Sequence, residues 1–343
     1  VHLYVQDGLG DELDPGGYRI IDTGPRLARL ARMSKGCWRM ISAVRRARPA
    51  IAHFHDPELL PWAFLLRLSG IKVIYDVHED VPRQVRHNPT LPAWLRPFLP
   101  AAVSLTEWVG ARVVSGLVAA TPEIAARFPD RKTALVQNYP MIGELHVPNT
   151  TPMAERPREF AYVGGIGTDR GSIQMIRALD LLAEAALLNI AGTFALEREQ
   201  ARAEAEPGWT HVRFLGFKGR NEVANLLSRA RGGLVLFQPL PNNIAGRPNK
   251  LFEYMSAGLP VIASDYPRWR EIVEGAGCGL LVDPQSPEAI AGAMQWILDN
   301  PDEAQAMGER GRQAILNQYN WDGEADKLVG FYRALLGSRV EKH

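Results

Sequence analysis

Short apolar runs alternate with longer amphipathic stretches along almost the whole chain. VHLYVQ (1–6), YRIID (18–22), IAHFH (51–55), KVIYDVH (72–78), GLVAAT (116–121) and TALVQN (133–138) are bounded by turn formers and rich in β-branched residues, so each predicts a strand. Segments 26–48, 59–69, 93–115 and 122–128 between them predict helices. Such alternation predicts a parallel sheet covered by helices. Residues 139–158 break the pattern with four prolines and no period, which predicts a linker over 141–158. A second series follows at 159–165, 187–194, 212–217, 233–238, 260–265 and 279–284, with helices expected at about 171–183, 221–230, 249–257 and 267–274. The last sixty residues read as helical, with a break near Asn320–Trp321. The expected architecture is α/β: two doubly wound domains facing a cleft, at 1–140 and 159–320, and a C-terminal helix at 321–343 able to cross back to the first. Ligands of open α/β sheets bind beyond the carboxyl ends of the strands, so chemistry is sought just after each strand.

Composition narrows the classes. The 343 residues carry a net charge of +1, which argues against a general nucleic-acid binder. Two distant cysteines, Cys37 and Cys278, make no disulfide framework and predict a reducing, cytoplasmic setting. No apolar run is long enough for a transmembrane helix, and VHLYVQDG has no signal-peptide pattern. The chain opens directly in a strand without an initiator Met, so upstream residues are expected. Charge is uneven: Gly24 to His55 holds eight Arg and Lys residues and no acidic one.

Three segments can carry chemistry. In RPNKLFEYMSAGLPVIASD (247–265), a loop containing Pro239, Pro241, Asn242, Asn243 and Gly246 feeds a short helix for which Asn249 is a natural N-cap. Free N–H groups at that helix start favour an anion, Lys250 adds a positive charge, and Glu253 one turn on suits two vicinal ribose hydroxyls. The same residues also fit a solvated surface helix. In YVGGIGTDRG (162–171), Gly164 and Gly165 let backbone N–H groups approach a phosphate, and Arg170 can bind one bidentately. The dinucleotide fingerprint fails there, because Arg170 stands where its last glycine should be. In HFHDPELL, alternation puts His53 and His55 on one side of a strand, and Asp76-Val77-His78-Glu79-Asp80 ends the neighbouring strand. Packing histidines, an active site and a divalent-metal set all fit those residues. The H-x-H-x-D-H pattern is broken by Pro57 and Glu58, and D-x-D is absent, so no metal is expected.

KLFEYMSAGLPVIASD, together with HFHDP, YDVHED, QNYP, YVGG…RG, FLGF and GCGLLVDP in order, resembles the group 1 glycosyltransferases (glycosyltransferase family 4), closest to the branch that builds bacterial polysaccharides. The resemblance implies a GT-B fold and a retaining, metal-independent hexosyltransferase that takes a nucleotide diphosphate sugar and a saccharide or lipid-linked acceptor. It implies donor binding by Gly164, Gly165, Arg170, Asn249, Lys250, Leu251 and Glu253, and a catalytic-site role for His55. Glu253 matches the second glutamate of the family's E-x7-E motif; at the first stands Ala245, so Asn242, Asn243 or Arg247 would have to contact the sugar. The family's diphosphate Arg and Lys positions are Gly165 and Arg170 here. The family also opens with one more strand–glycine loop–helix unit than this chain shows.

Two other readings fit the same pattern: a sugar-nucleotide epimerase on this fold, and an incomplete, non-catalytic member. The basic segment 26–48, with Leu27, Leu30, Met33, Trp38, Ile41 and Val44, and the segment 92–108, with Trp94, Leu95 and Phe98, are candidate contacts with the inner face of a membrane.

Overall fold

The computed structural model describes residues 1–28, 31–82, 98–182 and 184–337. The chain divides into two compact units, Val1–Gln137 joined by the segment from Glu324 onward, and Asn138–Gly323.

The N-terminal unit holds two sheets. In the first, β1 (His2–Val5) runs parallel to β3 (Arg19–Asp22), and the short β2 (Glu12–Leu13) pairs antiparallel to β3. The second is parallel and follows chain order: β4 (Ile51–Phe54), β5 (Lys72–Val77), β6 (Gly116–Ala119) and β7 (Thr133–Leu135). Leu117, Ala119, Val73 and Tyr75 are buried in its core with Leu60 and Leu66 from the following helical turns. The C-terminal helix Trp321–Leu336 closes this unit from Glu324 onward. The Glu324 carboxylate accepts the Gln137 N–H at 2.8 Å, and Phe331 lies where a side chain on Gly116 would fall.

The C-terminal unit is one six-stranded parallel sheet in the order β10 (Val212–Gly216), β9 (Leu187–Ala191), β8 (Glu159–Val163), β11 (Gly232–Val235), β12 (Val261–Ser264), β13 (Gly279–Val282). The chain starts at β8, builds outward on one side, then returns to β11 and builds outward on the other. The crevice between β8 and β11 is therefore the topological switch point, where open α/β sheets bind ligands. Two apolar layers cover the faces, one around Tyr254, Met255 and Trp269, the other around Phe160, Met175 and Met294. Leu145 and Met153 of the proline-rich stretch 141–158 are buried in these layers.

All twelve expected strands form, most of them one to three residues shorter than their apolar runs. Other expectations change. The basic segment 26–48 is not one helix: a π-helical turn, Arg32–Gly36, precedes the helix Cys37–Ala47. Ile41 and Val44 pack into the core, while Met33 and Trp38 stay exposed. Arg29 and Leu30 lie outside the described residues, as do Trp94, Leu95 and the rest of 83–97. The helix Glu197–Glu204 was not expected, since only Ala203 of its residues is buried and no apolar stripe announces it. No helix among the described residues is long and apolar enough to cross a membrane.

Candidate functional site

The two loops that leave the switch point meet. After β8 the chain turns at Gly164, whose φ of 108° is open to glycine alone at little cost. A side chain there would come within 3.0 Å of the Lys250 Cε. The Tyr162 hydroxyl donates to the Gly165 carbonyl at 2.5 Å and holds the turn closed. The turn runs on through Thr168–Arg170 into the helix Ser172–Leu179. After β11 the chain passes through Pro241–Ala245 to the helix Asn249–Ser256. The Val163 N–H donates to the Tyr254 hydroxyl at 2.9 Å, which fixes this second helix against the end of β8.

Lys250 is the unusual residue. It is only 7% exposed, and its Nζ makes no hydrogen bond among the described residues. Nζ lies 3.7 Å from the Tyr162 ring centre and 5.4 Å from that of Phe237. The Arg170 guanidinium sits 5.0 Å from the same Phe237 ring. Burial pulls the Lys250 pKa well below the usual lysine value, and the Arg170 charge pulls it further. Two cations face one aromatic floor beside a glycine turn, with the Glu253 and Asp169 carboxylates near enough to offset part of the charge on Lys250. That is the electrostatic outline of a phosphate site. The sequence left open whether this positive charge is solvated or serves an anion; the fold buries it, because Lys250 lies on the side of the short helix that faces the sheet.

Glu253, one turn on, lines a cavity of about 270 Å³ with Asn249, Tyr139, Glu144, Arg220 and Trp321. Its Oε1 accepts from Arg220 Nη1 at 2.7 Å, and Arg220 Nε donates to Glu144 at 2.7 Å. The Glu144 hydrogen bond holds the Arg220 pKa above its ordinary value, and Arg220 in turn lowers that of Glu144. Arg220 and Glu144 escaped the sequence reading, although Arg220 does follow the FLGF strand directly.

Three expectations for this loop are corrected. Asn249 does not cap the helix: Pro248 takes the N-cap position without any side-chain bond, because its fixed φ sets the helix start one residue earlier. The helix-start N–H groups are thus left without a side-chain cap. The residues expected as a loop around Asn242 form a short helix, with Trp269 Nε1 donating to the Gly246 carbonyl at 2.8 Å. The Asn243 amide is engaged by the Asp169 and Gln238 carbonyls at 3.2 and 3.0 Å, so it ties the two loops together. Asn242 is exposed, Arg247 is half-buried, and Leu251 is fully buried in the core beneath the helix.

The N-terminal unit carries a second polar cluster. Asp76, near the end of β5, is buried, and its Oδ2 has His53 Nε2 at 3.0 Å, His55 Nδ1 at 3.3 Å and His78 Nε2 at 3.4 Å. His55 Nδ1 and His78 Nε2 are 2.7 Å apart. Behind them His53 Nδ1 meets the Tyr332 hydroxyl at 2.5 Å. With that hydroxyl donating, His53 is the Nε2–H tautomer and donates to Asp76. Burial raises the Asp76 carboxyl pKa, but hydrogen bonds from His53, His55 and His78 outweigh it and hold the group ionised well below the usual carboxylate range. The Asp76 hydrogen bond raises the pKa of His78. Tyr332 had no sequence signal, standing 279 residues from His53.

A six-stranded parallel sheet, with the buried Lys250 and the half-buried Arg170 at its switch point, defines the C-terminal unit as a Rossmann-like domain. Residues 148–314 match the family described as Glycosyl transferases group 1. Over 81 residues the chain is 40% identical to a GDP-mannose-dependent alpha-(1-6)-phosphatidylinositol monomannoside mannosyltransferase of Mycobacterium tuberculosis. That match covers 24% of this chain and 21% of the relative, so it spans about a fifth of the relative's length. Among solved structures, sucrose-phosphate synthase from Thermosynechococcus elongatus superposes with a TM-score of 0.72 at 19% identity, covering 98% of this chain and 88% of that one. Anabaena HepE in complex with UDP gives 0.68 at 12% identity, covering 92% and 85%. Residues 148–314, in the C-terminal unit, thus carry the similarity to the group 1 glycosyltransferases, and the fold is GT-B, two Rossmann-like domains with a helical C-terminus.

Proposed function

We propose that the chain transfers a hexosyl group from a nucleoside diphosphate sugar to a saccharide or lipid-linked acceptor. One observation carries this reading: the buried Lys250, without a hydrogen-bond partner among the described residues, packs against the Gly164 turn on the same short helix as Glu253. The donor diphosphate lies on that turn and on the helix start, with Lys250 and Arg170 neutralising the charge that grows on the leaving group. No divalent ion is needed on the diphosphate in this scheme. Glu253 releases Arg220 in part and takes the ribose hydroxyls. Retention of configuration follows the family. A relative whose name includes GDP-mannose and a neighbour whose structure holds UDP support a nucleotide-sugar donor and leave the base open. The phosphatidylinositol monomannoside in that relative's name supports a lipid-linked acceptor, reached in the cytoplasm at the inner membrane face, in the synthesis of a polysaccharide or glycolipid. Phe98, Leu105, Trp108 and Val109 are exposed along the helix Leu99–Val113 and form the surface proposed for lipid contact.

The test is a calorimetric titration with UDP and GDP in buffers of different ionisation enthalpy. An anion beside Lys250 favours its charged form, so binding takes up as much as about one proton at a pH between the depressed pKa of the free protein and the higher pKa of the complex. The same group makes the free protein more stable as pH rises from that depressed value towards about 10.4, because the unfolded lysine binds more protons across the window. Saturable binding of neither nucleotide, or binding without proton uptake, sinks the assignment. Sugar conversion with the donor alone would favour an epimerase.

His55 is proposed to orient the acceptor or the sugar on the N-terminal unit. His55→Ala is expected to lower turnover by at least about tenfold with unchanged melting behaviour, because His55 is exposed. Unaltered turnover would return His55 to a packing role.

A further inference from the structure

The geometry points to a divalent transition-metal site on the N-terminal unit, formed by His55 Nδ1, His78 Nε2 and the Asp76 carboxylate. These three donors make a triangle with sides of 2.7, 3.3 and 3.4 Å. Its circumscribed radius is about 1.8 Å, so a point lies about 2.1 Å from all three, the bond length of zinc to imidazole and carboxylate. Two of the three sides already equal the roughly 3.3 Å donor spacing of a tetrahedral zinc site.

The surroundings fit a metal as well as the distances do. Asp76 Oδ1 is buried and has no hydrogen-bond partner among the described residues, so a second carboxylate oxygen is at hand. His53 is already turned to donate to Asp76 Oδ2 and is itself held by the Tyr332 hydroxyl. A histidine and a tyrosine that fix a ligating carboxylate are the outer support such sites need. The side chains of His55 and His78 are 61% and 49% exposed, which leaves an entry path and room for water as a further ligand. Two imidazoles and one carboxylate select zinc, cobalt or iron over magnesium and calcium, which prefer all-oxygen shells. The sequence offered these histidines and carboxylates as one possible divalent-metal set, and no metal was expected because the nearby H-x-H-x-D-H pattern is broken. No residue of the C-terminal unit takes part, so the site is independent of the diphosphate reading, but it shares His55 with the proposed acceptor side, where the metal would then hold that imidazole in place.

The test is spectroscopic and needs no turnover. The full chain, stripped with chelator, is titrated with cobalt(II) and then with zinc(II) in competition. One equivalent of cobalt is expected to bind with visible ligand-field absorption, and zinc is expected to displace it. His55→Ala and His78→Ala, both at exposed positions, are expected to weaken cobalt binding by at least a hundredfold. Tyr332→Phe is expected to weaken it by about tenfold to a hundredfold through His53. Absence of the visible bands in the wild-type chain overturns the site, and so does unchanged affinity in the His55→Ala, His78→Ala double variant. In either case the cluster is a hydrogen-bonded network only.

Discussion

Lys250→Met gives a protein that melts higher than the wild type and no longer binds a nucleoside diphosphate with useful affinity. Both effects have one origin. In the free protein the Lys250 amine is buried against Tyr162 and Phe237 with no hydrogen bond, and Arg170 adds like-charge pressure. A buried donor left unsatisfied costs about 1–3 kcal/mol, and an unbranched thioether of similar length fills the same channel without that cost. The expected gain is a rise of several degrees in melting temperature, read by calorimetry. The loss of a charge-assisted contact to the diphosphate is expected to weaken UDP or GDP binding by about tenfold to a hundredfold. The proton uptake that accompanies binding in the wild type disappears with it. A variant that is less stable than the wild type, or that binds normally, would show that Lys250 is a structural residue. The trade is the usual one for a functional site, where stability is lower than the fold alone would allow.

Glu253→Ala leaves the fold intact and is expected to lower kcat/KM for the donor by about 30- to 150-fold, the loss of one to two hydrogen bonds from ribose hydroxyls to a charged acceptor. Little stability is at stake. Arg220 keeps its bond to Glu144 after the substitution, and it is half exposed, so its pair with Glu253 is screened by water. The decisive comparison uses a donor analogue that lacks both ribose hydroxyls. In the wild type the analogue binds much more weakly than the natural nucleotide; in Glu253→Ala the two bind alike, since the missing partners are the same. If the analogue is still discriminated against in the variant, the ribose lies elsewhere and the cavity beside Arg220 serves another ligand.

The order and spacing of the strands were legible because each buried strand is a short β-branched run closed by turn residues. GLLV at 279–282 and VIAS at 261–264 are clear cases. The two-domain organisation followed from the repetition of that pattern. Local polarity misled where backbone restraint outweighs it, as at Pro248, which takes the N-cap position so that the helix already begins at Asn249. It was silent at the helix Glu197–Glu204, which is polar on nearly every side. The site was half legible. Glycines 164 and 165 and Arg170 could be named from their place after a strand, while Lys250 and Glu253 lie on a later helix and were singled out chiefly by the family resemblance.

By itself, then, the sequence determined the α/β class, the order of the strands and the family resemblance, because all three are written in local periodicity and short motifs. Only the tertiary structure decided the burial of Lys250 and the downward pull on its pKa, the grip of Arg220 on Glu253, and the meeting of Asp76 with three histidines, one of them held by Tyr332. Each of these depends on burial or on partners that are distant in the chain, and desolvation and through-space hydrogen bonds leave no trace in the order of residues along it.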